Sequence, residues 1–245
     1  TGGKLVDAEP HLPDATIVQA DIDADNGIVH AIDRVMLPLD VVPPSIGVWV
    51  AERGGSLDQD GTDYDLLAAL VEQAGLGPTL TAPDADLTLF APDDAAIRRW
   101  AESFGRVFVD DAAVAAFLDD VMRLIARGGD TTPVLTDILT YHVSPGAKTG
   151  IAVLSATELV TAQGASIGLD GTELVDQEPD LDDPSLDTVD LRATNGVIHT
   201  IDGLLLPQNY FPSDGADAVD IEIGTDAAET FDLGADADWV LAKGG

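Results

Sequence analysis

The chain repeats itself. Leu5-Val6-Asp7-Ala8-Glu9-Pro10 returns as Leu174-Val175-Asp176-Gln177-Glu178-Pro179, and Asn26-Gly27-Ile28-Val29-His30-Ala31-Ile32-Asp33 returns as Asn195-Gly196-Val197-Ile198-His199-Thr200-Ile201-Asp202, both at a spacing of 169 residues. Leu37-Pro38 and Leu206-Pro207 hold the same register, so no gap opens between the blocks in either copy. Such a duplication constrains the fold more than any local propensity, because each copy must solve the same packing problem with the same residues. Residues 1–42 read as the C-terminal remnant of one module, 43–212 as a complete module, and 213–245 as an acidic tail rich in Gly and Asp. Thr1-Gly2-Gly3 reads as a cut inside a longer protein.

Charge narrows the function classes. The chain has 45 Asp and Glu against 11 Lys and Arg, a formal charge of −34. Such a surface repels phosphate backbones and anionic lipid, which argues against nucleic-acid binding and against a polybasic anchor. Carboxylates this dense are best tolerated where salt shortens the screening length to about 3–5 Å, so the composition suits a saline or extracellular medium. With 45% apolar residues the chain has material for a core rather than for global disorder. Absence of cysteine removes disulfides, thiol catalysis and Cys-ligated zinc together. No apolar run approaches the roughly 18 residues needed to cross a bilayer, so membrane insertion is not expected.

Within the complete module the apolar period changes along the chain. Tyr64, Leu67, Ala68, Leu70, Val71 and Ala74 form one helical face, which Gly75 and Gly77 are expected to stop. Leu87–Phe90 reads as a strand closed by Pro92, and Asp93-Asp94 as a helix start. A helix is expected from Val114 to Ile125, and another opens at Thr132-Pro133 as cap plus first-turn proline. After Tyr141 come short β runs at 158–161, 166–169, 173–175, 189–192 and 197–206, with Asn195-Gly196 as a two-residue hairpin signal. Helices first and an antiparallel sheet later predict an α+β domain built on a β-sandwich or a curled sheet.

Three segments of the complete module resemble the fasciclin-like (FAS1) domain. Thr88-Leu89-Phe90-Ala91-Pro92-Asp93-Asp94-Ala95-Ala96-Ile97 is similar to its first homology box. Leu139-Thr140-Tyr141-His142-Val143-Ser144-Pro145-Gly146 is similar to its Tyr-His box, and the stretch from Thr194 to Pro207 to its second box. Residues 1–38 carry only the second box. The resemblance implies a wedge-shaped β-sandwich with helices from its N-terminal half, and extracellular adhesion rather than catalysis. It also implies that Asp190-Leu191, and Asp21-Ile22 in the first copy, stand where animal members place an integrin-contacting Asp-Ile pair. Partners would be a cell-surface or matrix protein or a polysaccharide, with self-association open to an unfilled sheet edge. From the residues themselves, Tyr141 and His142 precede a turn whose carbonyls they could bind, and His199 and His30 sit in an apolar strand. All four, with Asn195 and Gly196, are expected to be structural.

The tail has its own period. Acidic residues Asp220, Glu229 and Asp238 fall nine apart, each opening an acid-x-x pattern. In degenerate form this resembles the calcium-binding nonapeptide of RTX repeat proteins, which makes these three the candidate metal ligands and calcium the candidate cofactor. Most of the turn glycines of that repeat are absent, so a solvated acidic linker stands beside the metal reading. No H-E-x-x-H, Walker loop or G-x-G-x-x-G follows the strands, and acid pairs are too common here to mark a glycosidase. The expected function is a non-catalytic, extracellular interaction module. Its alternatives are a spacer carrying a calcium-dependent tail and a polysaccharide-binding module.

Overall fold

The computed structural model describes residues 3–8, 13–38, 42–211, 221–223 and 239–241. It divides into two units, residues 1–44 and 45–245.

The first unit is a three-stranded antiparallel sheet of β1 (Lys4–Leu5), β2 (Ala15–Ala24) and β3 (Gly27–Ile32), with β2 in the middle. Ala24 pairs with Gly27, so the two-residue turn is Asp25-Asn26. Val18, Ile28, Val29, Val35 and Met36 are exposed in this unit.

In the second unit α1 (Ile46–Arg53), α2 (Asp65–Gln73) and α3 (Gly77–Thr81) precede β4 (Leu87–Pro92). Then follow α4 (Asp94–Glu102), α5 (Asp111–Ile125), α6 (Thr132–Tyr141), β5 (Val143–Pro145) and α7 (Gly150–Leu154). The remaining strands of the domain are β6 (Glu158–Val160), β7 (Ser166–Asp170), β8 (Glu173–Val175), β9 (Leu191–Ala193) and β10 (Gly196–Ile201). One sheet runs β5-β4-β10-β9 and a second runs β6-β7-β8. Side chains alternate across the first sheet as strand geometry requires. Leu89, Ala91 and Ile198 enter the larger core beneath the helices, with Trp49, Phe104, Phe117 and Phe211. Phe90 and Ile201 enter a second core, where Leu159, Ile167 and Leu174 of the other sheet meet them. The four-stranded sheet is therefore the middle layer of an α+β sandwich.

Paired acids start two helices in the same way. Asp93 and Asp110 accept the N–H of Ala96 and Ala113 at 2.7 and 2.9 Å, satisfying orphan donors of α4 and α5. The second acid of each pair, Asp94 or Asp111, is fully buried in the first turn.

Several expectations are corrected. The central pairing of the sheet, β4 with β10, is parallel rather than antiparallel. Gly196 pairs with Ala193, which makes Thr194-Asn195 the turn and leaves Gly196 in the strand. Glycine is required there by approach rather than by turn geometry, because a Cβ would lie 2.0 Å from the Leu87 carbonyl oxygen. The last strand stops at Ile201 and not at Leu206. Leu204–Leu206 are buried, but the N–H groups of Leu205 and Leu206 go to side chains of His142 and Asp176 instead of a ladder. Gly75, at φ 68°, ends α2, whereas Gly77 begins α3. The α6 cap lies one residue early, at Thr131, and Asp130 accepts the Thr132 N–H at 2.9 Å.

Candidate functional site

The motif residues are bound to their own fold. His142 is wholly buried, with Nδ1 at 2.8 Å from the Ile138 carbonyl and Nε2 at 3.0 Å from the Leu205 N–H. Because Leu205 can only donate, Nε2 accepts, the proton sits on Nδ1, and the ring is neutral. Burial depresses its pKa to about 4, against a smaller opposing effect of the Ile138 carbonyl. Tyr141 is buried as well, and its hydroxyl donates to the Ser166 carbonyl at 2.8 Å, tying α6 to β7. Asn195 uses both ends of its amide. Its oxygen accepts the Ile46 N–H at the start of α1 at 2.9 Å, and its nitrogen donates to Leu80 and Ala82 at 2.9 and 3.0 Å. His199 has the opposite tautomer to His142: Nδ1 accepts the Asp190 N–H at 3.2 Å and Nε2 donates to the Lys148 carbonyl at 2.9 Å.

The predicted contact residues flank that second histidine. Asp190 is exposed and lies just before β9, an edge strand, with φ at 65°. Its carboxylate accepts the Gly150 N–H at 2.7 Å, at the start of α7. Leu191 is half-buried and packs against the main core. In the first unit Asp21 is exposed at φ 54°, its N–H donates to His30 Nδ1 at 3.1 Å, and Ile22 is half-buried. His30 differs from His199 in being exposed.

Duplication extends to the hydrogen bonds. Asp176 accepts the Leu206 N–H at 2.7 Å, as Asp7 accepts that of Leu37 at 2.8 Å. Asp202 accepts the Ser185 N–H at 2.6 Å, as Asp33 accepts that of Thr16 at 2.8 Å. Asp183 accepts from Asp176 and Asp14 from Asp7, at 2.8 and 3.3 Å. The fasciclin-domain profile matches residues 4–38 and 62–207, spanning both copies.

The chain belongs to the fasciclin-domain family. It is 28% identical over 198 residues to transforming growth factor-beta-induced protein ig-h3 of Sus scrofa, covering 80% of this chain and 24% of that protein. The Oryctolagus cuniculus protein of the same name is 26% identical over 223 residues, covering 89% and 26%. Protein sll1483 of Synechocystis is 29% identical over 144 residues, covering 59% of this chain and 67% of that one. The chain thus spans about a quarter of the length of the two mammalian relatives. Among solved structures, a FAS1 domain pair from the insect cell adhesion molecule fasciclin I aligns with a TM-score of 0.48 at 20% identity, covering 79% of this chain and 60% of that one. Fasciclin domains are typically adhesion or interaction modules. No helix among the described residues is long and apolar enough to cross a membrane.

One feature of this fasciclin domain escaped the sequence reading. Between α1 and α2 the chain runs Asp58-Gln59-Asp60-Gly61-Thr62-Asp63-Tyr64-Asp65, and three helix starts converge on it. The N–H groups of Asp94 and Ala95 in α4 donate to the carbonyls of Asp63 and Gly61 at 3.1 and 2.9 Å. That of Asp111 in α5 donates to Asp58 at 2.9 Å. The Asp94 carboxylate caps α2 from outside, accepting the N–H of Asp65 and Leu66 at 3.1 and 3.0 Å. Burial, with neighbouring Asp63, pushes Asp94 up to about 8. One carboxylate oxygen each of Asp58, Asp63 and Asp65 falls within 4.8 Å of the others. The available signal was four acids alternating around a glycine, hidden in a chain where acids are everywhere.

Asp220, Glu229 and Asp238 lie outside the described residues. Flanking them, β11 (Ile221–Ile223) pairs parallel with β12 (Trp239–Leu241), Ile221 facing Trp239. That register is two nine-residue steps.

Proposed function

We propose that this chain is a non-catalytic interaction module of a larger secreted or cell-surface protein, holding a cell-surface or matrix protein or a polysaccharide. One observation carries the reading: Tyr141, His142, Asn195 and His199, the most distinctive polar residues of the boxes, direct their polar groups to the domain's own backbone. Side chains so engaged are scaffolding, and partner recognition falls to what the scaffold displays. The displayed elements of interest are Asp190 before edge strand β9, its counterpart Asp21, and the acidic surface around them. Adhesion is also what the fasciclin family most often does.

The test is bead adhesion. Beads carrying the full chain are expected to retain cells or matrix polysaccharide better than beads carrying polyaspartate. Asp21→Asn together with Asp190→Asn should weaken retention several-fold while thermal melting stays unchanged. Beads that retain nothing beyond the polyaspartate control overturn the adhesion reading.

A second reading, a spacer that carries a calcium-dependent tail, has one supporting observation. The parallel pairing of β11 with β12 at twice the nine-residue step is the register a coil of nonapeptides would need. In that case Asp220, Glu229 and Asp238 are the metal-facing candidates.

A further inference from the structure

We propose that the loop between α1 and α2 is a calcium site, with carboxylate oxygens of Asp58, Asp63 and Asp65 as its protein ligands. Calcium takes oxygen ligands at 2.3–2.6 Å, so two oxygens on one ion stand at most about 5 Å apart. The three oxygens here lie within 4.8 Å of one another. An acidic cluster alone would say little in so acidic a chain. The deciding group is Asp65. Its residue is only 3% exposed, its Oδ1 accepts the Gly55 N–H, and its Oδ2 is buried with no hydrogen-bond partner. Oδ1 of Asp63 is buried without a direct partner as well, although its carboxylate shares a hydrogen bond with the raised Asp94 carboxyl. Buried polar atoms are normally satisfied, and an orphaned carboxylate oxygen on a residue as buried as Asp65 calls for a cation.

Among the described residues, no Lys or Arg forms an ion pair with Asp58, Asp63 or Asp65. Arg98 is committed to Asp111 at the start of α5, whose N–H binds the Asp58 carbonyl. The other groups acting on Asp63 are acids: Asp58 and Asp60 of the loop, and Asp65 and Asp94 beside it. An all-oxygen donor set without imidazole or thiolate selects a hard ion. Calcium fits an irregular set of three carboxylates completed by water better than magnesium, which demands a near-ideal octahedron. The loop is also braced for the task. Its carbonyls at Asp58, Gly61 and Asp63 are held by α5 and α4, and Asp60 closes its turn by accepting the N–H and hydroxyl of Thr62 at 3.0 and 2.8 Å. Asp58 is exposed and gives the ion a way in.

Tyr64 stands between two of the ligands and packs on Trp49, ring centroids 4.7 Å apart, so a bound terbium ion can be excited through this pair. Titrating the full chain with Tb³⁺ should give sensitised emission that Ca²⁺ displaces and equimolar Mg²⁺ does not. Ca²⁺ should also raise the melting temperature beyond an ionic-strength control. Asp58→Asn, at an exposed position that leaves the fold intact, and Asp65→Asn should each weaken binding at least tenfold. The tail variant Asp220→Asn/Glu229→Gln/Asp238→Asn should leave the emission unchanged. Absence of calcium-displaceable emission overturns the proposal. So does emission that persists in Asp58→Asn, or emission lost in the tail variant alone.

Discussion

The backbone N–H of Asp190 donates to Nδ1 of His199, and 169 residues earlier the N–H of Asp21 donates to Nδ1 of His30. Both aspartates have positive φ, 65° and 54°, a region that Asp and Asn tolerate better than other residues with a Cβ. The Asp190 carboxylate also takes the first N–H of α7. Asp190→Asn keeps an acceptor and the backbone preference, and should change stability by less than about 0.5 kcal/mol. Asp190→Ala loses both and should cost about 1–2 kcal/mol in urea melts. Equal losses in the two variants would show that the charge, not the turn, matters.

Gly27 and Gly196 occupy matching positions with different surroundings. A Cβ on Gly196 would meet the Leu87 carbonyl oxygen at 2.0 Å, whereas one on Gly27 meets nothing within 4 Å. Gly196→Ala is expected to cost about 3 kcal/mol or more, by forcing β10 away from β4. Gly27→Ala should lie within about 0.5 kcal/mol of the parent. Paired denaturation curves decide it.

The same contrast holds for apolar pairs. Val35 is 79% exposed and its counterpart Leu204 is 5% exposed. Leu204→Ala should cost about 2–4 kcal/mol, and Val35→Ala less than about 0.5 kcal/mol. A large loss at Val35 would mean that the first unit buries it in solution.

Acid sensitivity has two opposed sources. His142 titrates near 4 when folded because burial disfavours its charged form. Unfolded it is protonated below about 6.5, so its stabilising effect is present above that value and is lost as pH falls toward 4, on the order of 3 kcal/mol in all. Asp176 runs the other way. Burial raises it to about 7 despite the N–H groups of Glu178 and Leu206, so the folded protein holds a proton that the unfolded chain releases. Its effect favours the fold below about pH 4 and fades as pH rises through 7. Stability of Asp176→Asn, measured by urea melts across this interval, should therefore climb more steeply from pH 4 to 6.5 than that of the parent. An unchanged slope would remove Asp176 from the account.

Much of the fold could be read from residues. The boxes located β4 and β10, the apolar stripes located α2 and α5, and the Thr132-Pro133 start located α6, each to within a few positions, whereas the turn expected at Ser144-Pro145 is strand β5. The parallel seam could not be read, since a buried apolar run does not reveal the direction of its neighbour. Nor could the end of β10, because Leu204–Leu206 look like strand by composition while His142 and Asp176 take the N–H groups that a strand would share. α1 was missed although Ser45 accepts the Val48 N–H at its start, its stripe being short and interrupted by Gly47. The acid loop went unread for a different reason. Only the burial of Asp65 distinguishes it from many exposed acids, and burial is a property of the fold.

The repeated bonds among Asp7, Asp14, Asp33 and Leu37, and again among Asp176, Asp183, Asp202 and Leu206, bear on the order in which the chain acquires structure. All of them close within one short stretch, so they demand little loop entropy and can form before the helical half arrives. That stretch is expected to act as a kinetic seed: replacing Asp183 by Ala should slow refolding, whereas replacing Val121 in α5 should chiefly hasten unfolding.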